Sequence, residues 1–479
     1  LARLPLLKYQ GGTLTLFPPP PGKGWQDFAI WDDRVEKYRI QAIDYRPLVE
    51  ALWQNKTEFI DEVKLFIDLD LTTNVIREPY LHQKEALTAW KQAGRRGVVV
   101  LPTAAGKTYL AHLIMQSTPR STLIVVPTLD LMHQWYTQTK ALFPKVEVGL
   151  LGGGSKDRTA ILIATYKSAA IHTTSLGNLY GLLIFDECHH LPTDFYRVIA
   201  ECSIAPYRLG LSATPERVDG SHQDLERLIG PFIYRKTPSE LAGEPLAPYQ
   251  IKKIKVELSP LEKKRYQQAI EIRNKFLEKS HISLGSLEGW QKFVQRSAAS
   301  SEGRRAMLSH REAKEIALGT QGKIETLSEL IEQHWPEPML IFTNDNATVY
   351  KISLEFLIPA ITHQTPVKER HEILKLFREG VYKTLITSHV LNEGVDVPDV
   401  AIAVILSGTG SPREYIQRLG RILRKGSQLN KTAILYEVIA KETSEESTAQ
   451  RRETPPLVYG TGNKDLKVAE SKDENDYFK

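Results

Sequence analysis

The stretch that decides the fold is "VVVLPTAAGKTYLAHL", residues 98–113. Its apolar run from Val98 to Leu101 predicts a buried strand. The small residues that follow predict a turn, and "KTYLAHL" opens a helix. A turn that feeds a helix N-terminus gathers backbone N–H groups around one point, and the helix dipole adds positive potential there. The segment therefore predicts a phosphate cradle built from Thr103, Ala104, Ala105 and Gly106. Lys107 is spaced to reach β- and γ-phosphates, and Thr108 to offer a hydroxyl to Mg²⁺. Leu101 and Ala104 stand where a strict loop of this kind has glycine. Ala104 costs about 1 kcal/mol if its position demands a positive φ.

Outward from this loop the same grammar repeats. The runs "STLIVVPT", "AILIATY", "YGLLIFDE" and "YRLGLSAT" are continuous apolar strands separated by helical patterns. Such runs belong to a parallel sheet covered on both faces. The alternation stops near residue 246 and resumes at 324 with "PMLIFTND", "KTLITSHV" and "AIAVILSG". The boundaries read as 1–74, a small α+β domain; 75–245, a first parallel-sheet domain; 246–323, a basic helical insert; 324–440, a second parallel-sheet domain; and 441–479, a tail too polar to pack. In the insert, Leu261, Tyr266, Ala269, Ile270, Phe276 and Leu277 mark one helical stripe.

Bulk properties narrow the function. The 479 residues are 42% apolar and carry a net charge of +5. No apolar window spans a bilayer, and the N-terminal run is broken by Arg3, Pro5 and Lys8, so neither a membrane span nor a signal peptide is read. Two cysteines give no disulfide framework. The expected location is cytoplasmic, at the nucleoid if the source is a prokaryote. Residues 259–323 hold thirteen Lys/Arg against seven Glu. Phosphate backbones attract such a segment, although a solvated helical face explains the charge equally well.

Two further motifs carry chemistry. In "LLIFDECHHL" (182–191), Asp186 and Glu187 end a buried strand, where parallel sheets place their ligands. Asp186 is expected to hold Mg²⁺ and Glu187 to polarise the attacking water. Cys188, His189 and His190 are contiguous and cannot converge on one metal without distant ligands. In "EYIQRLGRILRK" (414–425), Gln417, Arg421 and Arg424 share one helical face. Arginines there suit the charge of a γ-phosphate supplied in trans, and equally a basic solvated face.

Taken together, these motifs resemble the superfamily 2 helicases over residues 75–440. Gln83 in "EPYLHQKEAL" resembles that superfamily's adenine-reading glutamine. "VVPTLDLMHQW" (125–135) resembles motif Ia, "SAT" (212–214) motif III, "LIFTND" (340–345) motif IV, "TSHVLNEGVDVP" (387–398) motif V, and "QRLGRILR" (417–424) motif VI. Within the superfamily the chain is similar to the XPB helicases of repair and transcription. "SPLEKKRY" at 259 and the basic insert resemble their thumb, and "IWDDRVEKYRIQA" resembles the end of their damage-recognition domain. "LSATPERVDG" resembles their Arg-Glu-Asp loop, with Arg217 and Asp219 matching and Val218 in place of Glu.

The resemblance implies an α/β chain with two RecA-like lobes, ATP and Mg²⁺ between them, and DNA across both. It implies an ATP site of Gln83, Thr103–Thr108, Gly394 and Asp396, with Lys107, Asp186, Glu187, Gln417, Arg421 and Arg424 catalytic. Backbone phosphates would meet Thr128, Gly152, Gly153, Thr165, Thr365 and Thr387. The tryptophans, among them Trp53, Trp90, Trp135 and Trp335, are expected to pack rather than to stack on bases. The reading is an ATP-dependent DNA helicase or translocase of excision repair, monomeric, with a structure-specific nuclease as a partner. Ala104 points to slow turnover, and Val218 to translocation over unwinding. A branch-migrating or RNA-acting motor shares the motifs. A weak ATPase that clamps DNA for a nuclease is the non-enzymatic alternative, and a small-molecule P-loop enzyme does not explain the second sheet.

Overall fold

The computed structural model describes residues 3–73, 77–217, 219–243, 246–388, 400–408, 415 and 432–453. The N-terminal strands β1 (Leu6–Gln10), β2 (Thr13–Phe17), β3 (Ala29–Asp32), β4 (Lys37–Gln41) and β5 (Ile60–Glu62) form a sheet in the order β3-β4-β2-β1-β5. Helix α1 (Tyr45–Gln54) covers one face through Leu48, Val49 and Leu52. This domain is seated on the next one. Tyr9 donates its hydroxyl to Cys202 O at 2.9 Å, Asn178 Nδ2 donates to Val63 O at 3.0 Å, and Ile204 lies in the N-terminal core.

The first lobe is built on β6 (Arg96–Val100), β7 (Thr122–Val126), β8 (Val148–Gly152), β9 (Ser155–Lys156), β10 (Ile161–Thr165), β11 (Leu182–Asp186), β12 (Tyr207–Ser212) and β13 (Phe232–Arg235), ordered β13-β6-β12-β11-β7-β10-β8-β9. Only the β8–β9 pair is antiparallel. Its helices are α2 (Leu81–Gln92), α3 (Lys107–Ser117), α4 (Leu129–Leu142), α5 (Tyr166–Leu176), and the short α6 (Val198–Glu201) and α7 (Leu225–Leu228). Every residue of β7 and β11 is buried, as a central strand covered on both faces must be. Because β6, β12 and β11 are neighbours, the loops that follow them leave the sheet side by side. Those loops begin at Leu101, Ala213 and Glu187, so topology alone gathers three sequence motifs at one edge.

The second sheet runs β14-β19-β18-β15-β17-β16, all parallel, from β14 (Tyr249–Val256), β15 (Met339–Phe342), β16 (Ala360–Ile361), β17 (Thr384–Thr387), β18 (Ile402–Ile405) and β19 (Ala433–Ala440). Between β14 and β15 lie α8 (Pro260–Lys279), α9 (Leu287–Ala299), α10 (Ser301–Gly319) and α11 (Gln321–His334). Helices α12 (Asn346–Phe356) and α13 (Val367–Arg378) flank the sheet. Ser259 and Glu262 close a capping box at the start of α8, with Pro260 in its first turn.

Three expectations are corrected here. Residues 249–256 are not part of the insert; they pair over their whole length with β19. An edge strand is sheltered on one side only, so β14 carries exposed Lys252, Lys253 and Lys255 instead of an apolar run. Leu261 is 68% exposed, while the rest of the α8 stripe turns inward. The supposed tail begins as a helix, Ser444–Glu453, that seats Glu445 and Ala449 in the second lobe. Its polar composition conceals a buried ion pair. Lys323 Nζ lies 2.6 Å from Glu445 Oε2 and 2.5 Å from Leu406 O, and Glu445 Oε2 also accepts Ala440 N–H at 3.0 Å. The partners are 122 residues apart, beyond the reach of any local pattern.

A buried ammonium stripped of its carboxylate has no water to fall back on. Glu445→Leu should therefore destabilise the second lobe by about 3–5 kcal/mol, and Lys323→Met with Glu445→Leu should recover most of it. Hydrogen-exchange protection of β19 in the single and double variants reads this directly.

Candidate nucleotide site and nucleic-acid face

The phosphate loop is shaped by two left-handed residues. Gly106 sits at φ 78° as the residue that opens α3, and Ala104 sits at φ 70°. The position thus demands of Ala104 the conformation that an alanine resists, and the strain foreseen in the sequence is present. Two side chains of α2 brace the loop. His82 Nε2 lies 2.8 Å from Ala105 O, and Gln83 Nε2 donates to Gly106 O at 3.1 Å. Gln83 is wholly buried, and its Oε1 accepts Tyr80 N–H at 3.0 Å. The amide expected to read adenine is therefore engaged at both ends by the protein. A Cβ added at Gly106 would come within 2.5 Å of that amide.

Asp186 ends β11 with its carboxylate buried. Trp135 Nε1 donates to Oδ2 at 2.8 Å, and Glu187 N–H donates to Oδ1 at 3.1 Å. Burial pushes this carboxyl above its ordinary range, the neighbouring Glu187 adds to the rise, and Lys107 and the indole N–H oppose it. Glu187 itself is held at φ 48°, a strained setting for a residue with a Cβ. It lies 3.4 Å from Lys107 Nζ, 3.4 Å from His189 Nδ1, and accepts Ser212 Oγ at 3.4 Å. Ser212 in turn accepts Thr214 N–H at 3.2 Å. The three motifs named from the sequence are thus joined through one carboxylate. Lys107 faces an acidic partner that a phosphate could replace, which fits the loop to a nucleotide.

Sequence reasoning placed Trp135 in the packing and set His189 aside. Packing is only half of the indole's role, and His189 lies in the Glu187–Ser212 cluster. Neither was legible, because 51 residues separate Trp135 from Asp186 and 23 separate His189 from Ser212. Arg217 and Asp219 form a salt bridge at 2.7 Å, and Arg217 Nη1 donates to His189 O at 3.0 Å. The loop bearing them is thereby tied to the acidic motif. Val218, Gly394, Asp396, Gln417, Arg421 and Arg424 lie outside the described residues.

On the first lobe, four of the expected nucleic-acid contacts gather. Thr128 caps α4 by accepting Leu131 N–H at 3.2 Å, and Thr165 caps α5 by accepting Ser168 N–H at 3.3 Å. Gly152 and Gly153 turn between them, and a Cβ on Gly152 would meet Thr165 Oγ1 at 3.2 Å and Met132 Sδ at 3.2 Å. Thr365 is half-buried in the turn before α13, where its hydroxyl accepts Thr362 N–H at 2.9 Å. Thr387 is corrected. It ends β17 between β15 and β16 with its side chain fully buried, so it offers nothing to a strand on the surface. Of the insert's cations, Lys263, Arg265, Lys275, Lys279, Lys292, Arg311 and Lys323 pair with Glu side chains. Arg304, Arg305 and Lys314 stay exposed without an ion pair among the described residues. Trp90 and Trp135 pack as expected, whereas Trp53 and Trp335 are more than 60% exposed.

Two parallel-sheet lobes, a phosphate loop, an Asp-Glu pair and a Ser-Ala-Thr link define a superfamily 2 helicase. The "DNA 3'-5' translocase XPB2" of Sulfurisphaera tokodaii is 40% identical over 422 residues, 88% of this chain and 95% of that one. The chain belongs to the XPB family. Residues 7–63 match the family described as Xeroderma pigmentosum group B helicase damage recognition domain. Residues 76–217 match "Type III restriction enzyme, res subunit", and 322–426 match "Helicase conserved C-terminal domain". The "General transcription and DNA repair factor IIH helicase/translocase subunit XPB/SSL2" of Saccharomyces cerevisiae is 24% identical over 89% of this chain and 48% of its own. In fold, the chain is similar to the helicase domain of Pyrococcus furiosus Hef, with a TM-score of 0.55, 19% identity, and coverage of 78% and 97% of the two chains.

Two substitutions test the site. Trp135→Phe keeps the packing and removes one donor from Asp186; by analogy with outer-shell partners of metal ligands, it should slow ATP hydrolysis about 10–100-fold. Nucleotide affinity should hold within a few-fold, as read by equilibrium binding. Ala104→Gly should relieve the left-handed strain, stabilising the protein by up to about 1 kcal/mol. A higher midpoint in thermal unfolding, with hydrolysis preserved, is the expected result.

Proposed function

We propose that this chain is an ATP-driven DNA translocase and helicase that moves 3'-5', the activity carried in the names of its relatives. The single observation that supports this most is the position of Glu187. It stands at once against the phosphate-binding lysine and against the Ser212 link of the motif that couples the lobes. A change at the γ-phosphate can therefore be felt outside the nucleotide site.

In this reading Lys107 and the loop N–H groups bind the β- and γ-phosphates of ATP, and Glu187 orients the attacking water. Mg²⁺ would be held by Thr108 and Asp186 and would neutralise phosphate charge. Trp135 keeps the Asp186 carboxylate ionised and aimed. Gly394 and Asp396 would complete the nucleotide site, with Gln417, Arg421 and Arg424 facing the γ-phosphate from the second lobe. The DNA backbone crosses Thr128, Gly152, Gly153, Thr165 and Thr365, which contact phosphate and read no bases. Arg217 and Asp219 stand where strands would part. We further propose a working monomer at the nucleoid, with a structure-specific nuclease as its partner in repair. Among the described residues, no helix is long and apolar enough to cross a membrane.

Displacement of a triplex-forming oligonucleotide from duplex DNA tests translocation without requiring unwinding. Displacement that needs ATP and occurs only from tracks entered in the 3'-5' sense is expected. Displacement in the opposite sense, or none despite DNA-stimulated hydrolysis, would overturn the proposal.

A further inference from the structure

One contact joins the lobes on the face assigned to DNA. Asp130 lies in the first turn of α4, two residues after the capping Thr128. Arg370 lies on α13 in the second lobe. Arg370 Nη1 is 3.3 Å from Asp130 Oδ2, and His371 Nε2 is 3.5 Å from Asp130 Oδ1. The pair is largely enclosed, with side-chain exposures of 12% for Arg370 and 20% for Asp130.

The guanidinium is poorly used. A carboxylate that matches arginine takes two parallel N–H groups at about 2.7–2.9 Å. Asp130 takes one at 3.3 Å, and Nη2 reaches only Thr365 O at 3.4 Å. Arg370 Nε is buried with no hydrogen-bond partner among the described residues. A planar, permanently charged donor set thus stands between Thr128 and Thr365 with donor capacity unspent, and a carboxylate occupies the anion position before it.

We infer that Arg370 is a ligand for a DNA backbone phosphate, and that Asp130 holds it in reserve until DNA arrives. The phosphate takes Arg370 and Asp130 is released, so the same exchange that binds DNA unfastens one lobe from the other. DNA binding is thereby coupled to lobe movement. The inference rests on the phosphate path proposed above.

The full-length chain is titrated with labelled forked DNA over a series of salt concentrations, as wild type, Asp130→Asn, Arg370→Gln and the double variant. Arg370→Gln should weaken binding about tenfold and reduce the salt slope by about one. Asp130→Asn should tighten binding about three- to tenfold in the wild-type background and change nothing once Arg370 is gone, because the two residues act through each other. Equal tightening in both backgrounds would reduce Asp130 to a simple repulsive charge and overturn the exchange. Weakening by Asp130→Asn to match Arg370→Gln would make the pair a structural clasp and overturn it too. Thr128→Ala with Thr165→Ala separates the two readings. Their failure to alter affinity would remove the phosphate path itself, whereas additivity between residues 130 and 370 removes only the exchange.

Discussion

The structure depends on keeping two carboxylates together at the buried end of one strand. Asp186 and Glu187 repel each other where water cannot screen them, so the fold must surround them with donors. It supplies an indole N–H from α4, a backbone N–H, an ammonium from the phosphate loop and a hydroxyl from the end of β12. Each donor comes from a different element of the first lobe. The acidic pair is therefore both the chemical centre and the point through which those elements sense one another.

Much of this was legible in the sequence. Continuous apolar runs such as "YGLLIFDE" announce parallel strands, and a carboxylate at the end of one announces a site, because the sheet grammar is local. The glycine missing at Ala104 was also legible as strain, since φ preference belongs to a single residue. The order of the loops along the sheet edge then follows from strand adjacency, which the spacing of the motifs foreshadowed.

What escaped the sequence shares one property: it depends on partners far apart in the chain or on burial from one side only. Glu445 looks like solvent-exposed polarity until Lys323 is found beneath it. Strand β14, with its lysines, looks like part of a basic insert until β19 pairs with it. Gln83 keeps its place beside the nucleotide loop but uses its amide to brace that loop. Thr387 stands at the expected end of a strand but turns inward. Chemistry at strand ends was readable; the direction of a side chain there was not.

The central claim is that this acidic centre powers a motor on DNA. Steady-state ATP hydrolysis with duplex, forked and single-stranded DNA, with RNA and with no nucleic acid tests it most directly, using Lys107→Ala as the blank. The account predicts strong stimulation by DNA that vanishes in the variant. DNA binding without hydrolysis above the blank would contradict it and leave a clamp in its place.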